Sequence, residues 1–321
     1  MLMVGLLVTL AVVGTVQWRA NAREAQAADA YPPSGQIIEV DGTQVHLTMS
    51  GSGPDLVLIH GASGSLRDYT FDLVGRLKDR YRVIALDRPG LGWSDRPHPG
   101  YGGVWNTSAE PPALQARVLQ AAADAVGVKR PIVLGHSFGG AVALAWALER
   151  PEETAGLVLL GAASNPWPGD LGALYQINSS RLGSALVIPL ITAFAPHSRI
   201  EDTVASIFTP QQMPAGYLEH IGPEMSLRRT TLRANAQQVN NLRPYIVDMA
   251  KRYPDLTLPV EILHGTEDTI VPLRVHSEPL AQLLPNATLT RLEGVGHMPH
   301  HAEPETIVAA IDRVAARAGL R

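Results

Sequence analysis

The sequence predicts an α/β fold with an open, mostly parallel sheet, and three observations carry that prediction. Short apolar runs flanked by glycine or proline recur at Leu56–Ile59, Val83–Leu86, Ile132–Leu134, Leu157–Leu160, Val260–Leu263 and Thr288–Leu292, as suits strands buried on both faces. Helical stretches such as Ala113–Val126, Gly139–Glu149 and Pro304–Ala318 alternate with them, and that alternation builds a parallel sheet through right-handed crossovers. Ile37–Val40 and Val45–Met49, joined at Asp41-Gly42, read as a hairpin that opens the sheet. In open α/β sheets ligands bind at the carboxyl ends of the strands. The residues that follow each strand are therefore where chemistry is expected.

The chain ahead of the hairpin has a different character. Residues 1–18 carry no charge, and the first charged side chain is Arg19. Such a run suits a signal-peptide core or a marginal membrane span, and the small-residue patterns at Ala20-Asn21-Ala22 and Ala25-Gln26-Ala27 fit export. Arg19 and Arg23 lie behind the apolar run with no basic residue before it, which by the positive-inside rule favours a cytoplasmic C-terminal side. The expectation is a membrane-anchored or exported protein, with residues 19–35 as a linker ending in Pro32-Pro33-Ser34-Gly35.

Composition bounds the function. The 321 residues are 45% hydrophobic and 17% charged, short of the ~25% charge of an average soluble protein. A formal net charge of −4 offers no electrostatic footprint for nucleic acid. With no cysteine, disulfides, thiolate metal sites and a thiol nucleophile are excluded.

After Ile132–Leu134 comes Gly135-His136-Ser137-Phe138-Gly139-Gly140 and then a helical pattern. This is G-x-S-x-G between a strand and a helix, where a sharp turn can expose the hydroxyl of Ser137 above the sheet. A serine needs a base, and the base needs an orienting carboxylate. Val260–Leu263 runs into His264-Gly265-Thr266-Glu267-Asp268, and the last strand runs into Glu293-Gly294-Val295-Gly296-His297. Ser137, Asp268 and His297 thus follow three different strands in the order Ser…Asp…His. The G-x-x-D-x-x-V-P spacing favours Asp268 over its neighbour Glu267, and the end of the preceding strand, Gly161-Ala162-Ala163-Ser164-Asn165, offers no carboxylate.

These residues resemble the α/β-hydrolase superfamily, in its lid-bearing esterase, haloperoxidase and C–C hydrolase-like branch. The likeness spans residues from about 36 to 318 and includes His60-Gly61-Ala62-Ser63 and Asp87-Arg88-Pro89-Gly90-Leu91-Gly92-Trp93-Ser94. It implies an eight-stranded α/β-hydrolase sheet with helices on both faces, formed by residues 36–161 and 260–321. It also implies an oxyanion hole built from the backbone N–H groups of Ala62 and Phe138. The Asp87–Ser94 segment would shape a loop near the site. Residues 162–259, too long for a connection, are expected to be an inserted, mainly helical lid.

The implied activity is hydrolysis of a small, apolar carboxylic ester through an acyl-enzyme. A cofactor-free haloperoxidase or perhydrolase is the alternative. A C–C bond hydrolase on the same triad is disfavoured by His136, where that group usually has Asn. An aspartate nucleophile would be needed to open epoxides or displace halide. No P-loop or G-x-G-x-x-G is present, so no cofactor is expected. A metal at His297, His300 and His301 is disfavoured because Pro299 interrupts the helix that would align them, which leaves His300 and His301 as surface neighbours of the base. His136 is expected to be a packed or hydrogen-bonding neighbour of the nucleophile. Leu182, Leu186, Ile188, Ile191 and Phe194 would form the core of the lid or an apolar pocket. Arg228, Arg229, Arg233 and Arg243 read as solvated helix surface or as partners for an anionic substrate.

Overall fold

The computed structural model describes residues 2–97 and 100–321. Met1, the first residue of the apolar segment, lies outside the described residues. An eight-stranded sheet runs in the order β1-β2-β4-β3-β5-β6-β7-β8. Its strands are β1 (Gln36–Val40), β2 (Thr43–Ser50), β3 (Asp55–Ile59), β4 (Arg82–Leu86), β5 (Ile132–His136), β6 (Gly156–Leu160), β7 (Val260–Gly265) and β8 (Ala287–Leu292). Only β2 is antiparallel to its neighbours; from β4 through β8 every pairing is parallel. All eight strands fall where the apolar runs predict them, and β5 extends two residues further, through Gly135 and His136.

β3 to β7 are apolar on both sides because both sides are covered. On one face Pro112–Ala125 and Phe138–Glu149 pack with Leu242–Ala250 around Val57, Val133 and Leu159. On the other, Leu73–Leu77 and Pro304–Arg317 cover Leu58, Leu134 and Val158. Phe138–Glu149 is buried over nearly its whole length, as befits a helix apolar all round.

The N-terminal segment departs from expectation. One helix, α1, runs from Leu2 to Ala30, so residues 19–30, expected to be linker, are helical, and only the stretch through Pro32-Pro33 is extended. The reason is local. The stretch is rich in alanine, the strongest helix former, and contains neither glycine nor proline until Pro32. Ala20 and Ala27 are buried, and Arg19 Nε donates to the carbonyl of Ala193 at 2.7 Å while Arg23 donates to that of Ala195 at 2.9 Å. Both cations meet the last carbonyls of the helix Ile188–Phe194, where the helix dipole favours positive charge.

Between β6 and β7 the chain forms an insertion made mainly of helices, among them Ala173–Ser179, Ile188–Phe194, His197–Ser206, Arg229–Asn240 and Leu242–Ala250. Two expectations about its side chains change. Ile188 is buried and Ile191 half-buried, but Leu182, Leu186 and Phe194 point outward, because this stretch turns Asn178, Ser179, Ser184, Thr192 and Ala193 inward instead. Arg228, Arg229 and Arg233 are structural ties, whereas Arg243 is exposed, as expected of solvated helix surface. Arg229 pairs with Glu24 of α1 at 2.7 Å and also holds Gln17 and Asn21. Arg228 lies over Trp93 and donates to Gly92 O, Arg233 donates to Ser184, and Arg243 donates to Trp167 O.

Candidate active site

Ser137 sits between β5 and the helix Phe138–Glu149 with φ 54° and ψ −120°. A non-glycine residue holds such a conformation only when its surroundings enforce it, at a cost of about 1–3 kcal/mol. The enforcement is visible at the flanking glycines. A Cβ at Gly135 would lie 2.3 Å from Gly139 O, and one at Gly139 would lie 2.1 Å from Ile59 O. The turn thus closes against β3 with no room for a side chain, and Ser137 N donates to Leu160 O at 2.9 Å. Phe138 is the first residue of its helix, so its N–H has no intrahelical acceptor.

The other two predicted residues come together. His297 Nδ1 and Asp268 Oδ2 are 2.7 Å apart, both side chains buried. The other oxygen of Asp268 accepts the amides of Ile270 and Val271, each at 2.9 Å. Glu267 is exposed, as the motif spacing anticipates. Gly161, at the end of β6, is where the pieces meet: a Cβ there would lie 3.2 Å from Asp268 Oδ2 and 3.5 Å from His297 Nδ1. On the opposite side, a Cβ at Gly61 would lie 3.2 Å from the Cβ of Ser137. Ser137 and His297 retain only 7% and 6% exposure.

Burial acts to raise the pKa of Asp268, but the hydrogen bonds from His264 and His297 outweigh it and hold the carboxyl well below its usual range. No sequence motif marks His264. Its Nε2–H donates to Val271 O at 2.7 Å and lies 3.2 Å from Asp268 Oδ2, while its Nδ1 accepts from Ser277. Asp268 is therefore braced by two imidazoles.

The loop Gly61–Ser63, expected to carry one oxyanion donor, is likewise fixed from behind. Arg88, fully buried, donates to His60 O at 3.0 Å and to Gly61 O at 3.1 Å, and its guanidinium lies 4.2 Å from the centre of the Phe138 ring. One side chain thus touches both stretches that carry the expected donors, Ala62 and Phe138. Asp87 accepts from His46, from the amide of Leu66 and from that of Trp93, which gives the Asp87–Ser94 motif its loop-shaping role. Ser63, next to Ala62, has φ 56°. Its amide and hydroxyl bond Asn235 of the insertion at 2.7 and 2.8 Å, and its carbonyl accepts from Ser226. No sequence motif marks Asn235 or Ser226.

Replacing Arg88 with methionine is expected to lower kcat for a soluble ester about 10- to 100-fold by letting the loop drift. It also leaves buried carbonyls unpaired, at about 1–3 kcal/mol each. Steady-state kinetics with thermal melting checks both effects, and an unchanged kcat would remove Arg88 from this role.

His300, expected at the surface, is instead buried, and His301 is half-buried with its ring enclosed; they bond the two oxygens of Asp68 at 3.0 and 2.7 Å, with Tyr217 donating to the same carboxylate at 2.8 Å. The three could offer ligand atoms to a cation, but their separations are those of direct hydrogen bonds to a carboxylate, which three donors already satisfy. The rings of Phe208 and Tyr217 from the insertion close over His301, and His300 lies beneath it against Tyr69 and His136. His136 lies 4.8 Å, ring to ring, from both His297 and His300, and its Nε2–H donates to His297 O at 2.8 Å.

Burial, aided by neighbouring positive charge, pushes His60 down to about 4, and burial and His264 do the same for His276. Burial also lowers His136 and His300. Unfolded histidines titrate near ~6.5, so below that pH the unfolded chain binds more protons than the native one. This contribution to stability is complete above pH ~6.5 and is lost as pH falls toward 4. The melting temperature is expected to drop steadily between pH 7 and 4.5 in a scanning calorimeter; a flat profile would show that these imidazoles are not held neutral.

Residues 56–310 match the family described as the alpha/beta hydrolase family. The 2-hydroxymuconate semialdehyde hydrolase of Pseudomonas putida is 30% identical over 293 residues, covering 89% of this chain and 96% of that protein. Among solved structures, a membrane phospholipase A superposes with a TM-score of 0.67 at 23% identity over 98% of both chains. A thermophilic esterase from Thermogutta terrifontis gives 0.69 at 21% identity, over 88% of this chain and 99% of its own. With this sheet order, the strand-to-helix serine turn and a family match over most of its length, the chain belongs to the alpha/beta hydrolase family.

Proposed function

We propose that this protein is a membrane-anchored serine hydrolase that cleaves carboxylic esters. The observation that carries the reading is the constrained Ser137, held at φ 54° at the head of a helix, together with the 2.7 Å bond between His297 and Asp268 beyond neighbouring strands. His297 takes the proton of Ser137 as the hydroxyl oxygen attacks the ester carbonyl. The amides of Ala62 and Phe138 receive the oxyanion; a single such donor is worth about 2.7–4 kcal/mol in comparable sites. His297 then protonates the leaving alcohol, and water, deprotonated by the same imidazole, releases the acid. Asp268 keeps the imidazole oriented and stabilises its charged form.

The insertion acts as a lid. It is tied to the oxyanion loop through Asn235 and Ser226 and to the histidine loop through Gln211, which bonds both Gly294 O and Gly296 N. The helix α1 is an uncleaved anchor. It is long and apolar enough to cross a membrane, and cleavage within its alanine-rich part would discard the residues that hold Arg229.

A series of p-nitrophenyl esters of increasing acyl length tests the reaction class: turnover abolished by a fluorophosphonate supports it, and absence of turnover on every ester rejects it. The 30% identical relative keeps C–C hydrolysis as a second reading. A vinylogous β-diketone acid run beside the esters separates the two.

A further inference from the structure

Among the described residues twenty large hydrophobic side chains are exposed; nine lie on α1 and six on residues 173–194 of the lid. The six are Leu174, Ile177, Leu182, Leu186, Leu190 and Phe194. Apolar surface concentrated in this way on a soluble protein marks an interaction site. Its shape is a corner: Ala173–Ser179 and Gly183–Phe194 meet at 91°, with Leu182 at the bend. Arg181 is the only charged residue from 173 to 194, and Arg19 is the only one from 2 to 19.

The two apolar surfaces are joined rigidly. Val16, Gln17, Ala20, Arg23, Glu24 and Ala27, which share one helical face, are the part-buried or buried positions along that stretch of α1. The guanidinium of Arg19 lies 5.1 Å from the Phe194 ring while its Nε bonds Ala193 O. Phe194 therefore sits level with the first charge of α1, which is where an apolar span must leave the hydrocarbon. The corner is also coupled inward. The helix Ala173–Ser179, which turns Leu174 and Ile177 outward, packs on Arg229–Asn240, and Asn235 of that helix bonds Ser63 beside the expected oxyanion donor Ala62.

Resting on the anchor reading above, we propose that the lipid bilayer is the partner of this corner: its apolar side chains insert among the lipids beside α1, Arg19 and Arg181 face the headgroups, and the covered site opens toward the membrane and draws its ester from there.

The cysteine-free chain suits single-site labelling. Full-length Leu182→Cys and Leu186→Cys proteins would carry an environment-sensitive fluorophore (NBD), with Ala316→Cys as the control. Ala316 follows Val314, which packs on Gly156 at the start of β6, the end of the sheet opposite the lid. In vesicles of phosphatidylethanolamine and phosphatidylglycerol, the lid labels are expected to shift to the blue. Spin-labelled lipid should quench them at least two-fold, leaving the control unchanged. If the protein floats with the vesicles but the lid labels behave like the control, the anchor stands and this proposal falls. Blue-shifted labels that lipid does not quench would mean a second copy covers the corner, which also overturns it. Protein that does not float at all removes the anchor reading and the proposal together. In addition, Leu182→Glu/Leu186→Glu should lose at least ten-fold activity on vesicle-borne phospholipid while hydrolysing p-nitrophenyl butyrate normally; equal losses on both would contradict the proposal.

Discussion

Ser137→Ala is expected to lower kcat for an activated ester by about 10⁴- to 10⁶-fold, the range seen when a triad loses its nucleophile. The fold should survive. Alanine removes only one oxygen from a side chain that bonds neither the sheet nor the helix ladder, and the close approaches that set the turn belong to Gly135 and Gly139. The same change relieves no backbone strain, because alanine has the same Cβ as serine at φ 54°. Stability within about 1 kcal/mol of the parent is therefore expected. The loss should appear in kcat, with KM for a soluble ester little altered. Residual turnover above one per cent of the parent would show that another group attacks the carbonyl.

Asp268→Asn is expected to cost about 10⁴ in kcat. The carboxylate accepts from His297 Nδ1 on one oxygen and from two amides on the other, with His264 Nε2 3.2 Å away. An amide can present its oxygen to only one side. If it faces the Ile270 and Val271 amides, its NH2 meets His297, favouring the tautomer with Nδ1 unprotonated and leaving Nε2 unable to take the serine proton. The comparison is Glu267→Gln, one residue away and exposed, which should keep activity within two-fold. Stability gives a second readout with a definite sign. Because the folded pKa of Asp268 is depressed, its ionised form stabilises the protein above the unfolded value of ~3.9, and this is lost only as pH falls below it. The asparagine variant should therefore lose stability at pH 7 and approach the parent in strong acid. Equal kcat for Asp268→Asn and the parent would move the orienting carboxylate elsewhere.

Much of the core was legible because burial on two faces writes itself into composition: Leu56–Ile59 and Leu157–Leu160 have no polar face to confuse the reading. The serine turn was legible because its sterics admit only glycine at 135 and 139. The linker was misread because Ala-rich segments serve equally as loops near cleavage sites and as helices, and only the contacts of Arg19, Arg23 and Glu24 with the insertion decide between them. The roles of Arg88 and His264 are illegible in the sequence for a related reason. Each acts through backbone carbonyls or a neighbouring side chain brought near by folding, and such partners leave no spacing pattern. The insertion was the least legible part. Its outward Leu182 and Leu186 have the composition of a core, and the sequence alone carries no sign of which way they face.

The most direct test of the account is to map the residue that a fluorophosphonate phosphonylates as activity is lost. Enzyme treated with a fluorophosphonate would be digested, and the modified peptide compared with the fraction of activity lost. The account predicts one adduct per chain on the peptide containing Ser137, rising in step with inactivation. Complete inactivation with Ser137 unmodified, or full activity with Ser137 modified, would contradict it.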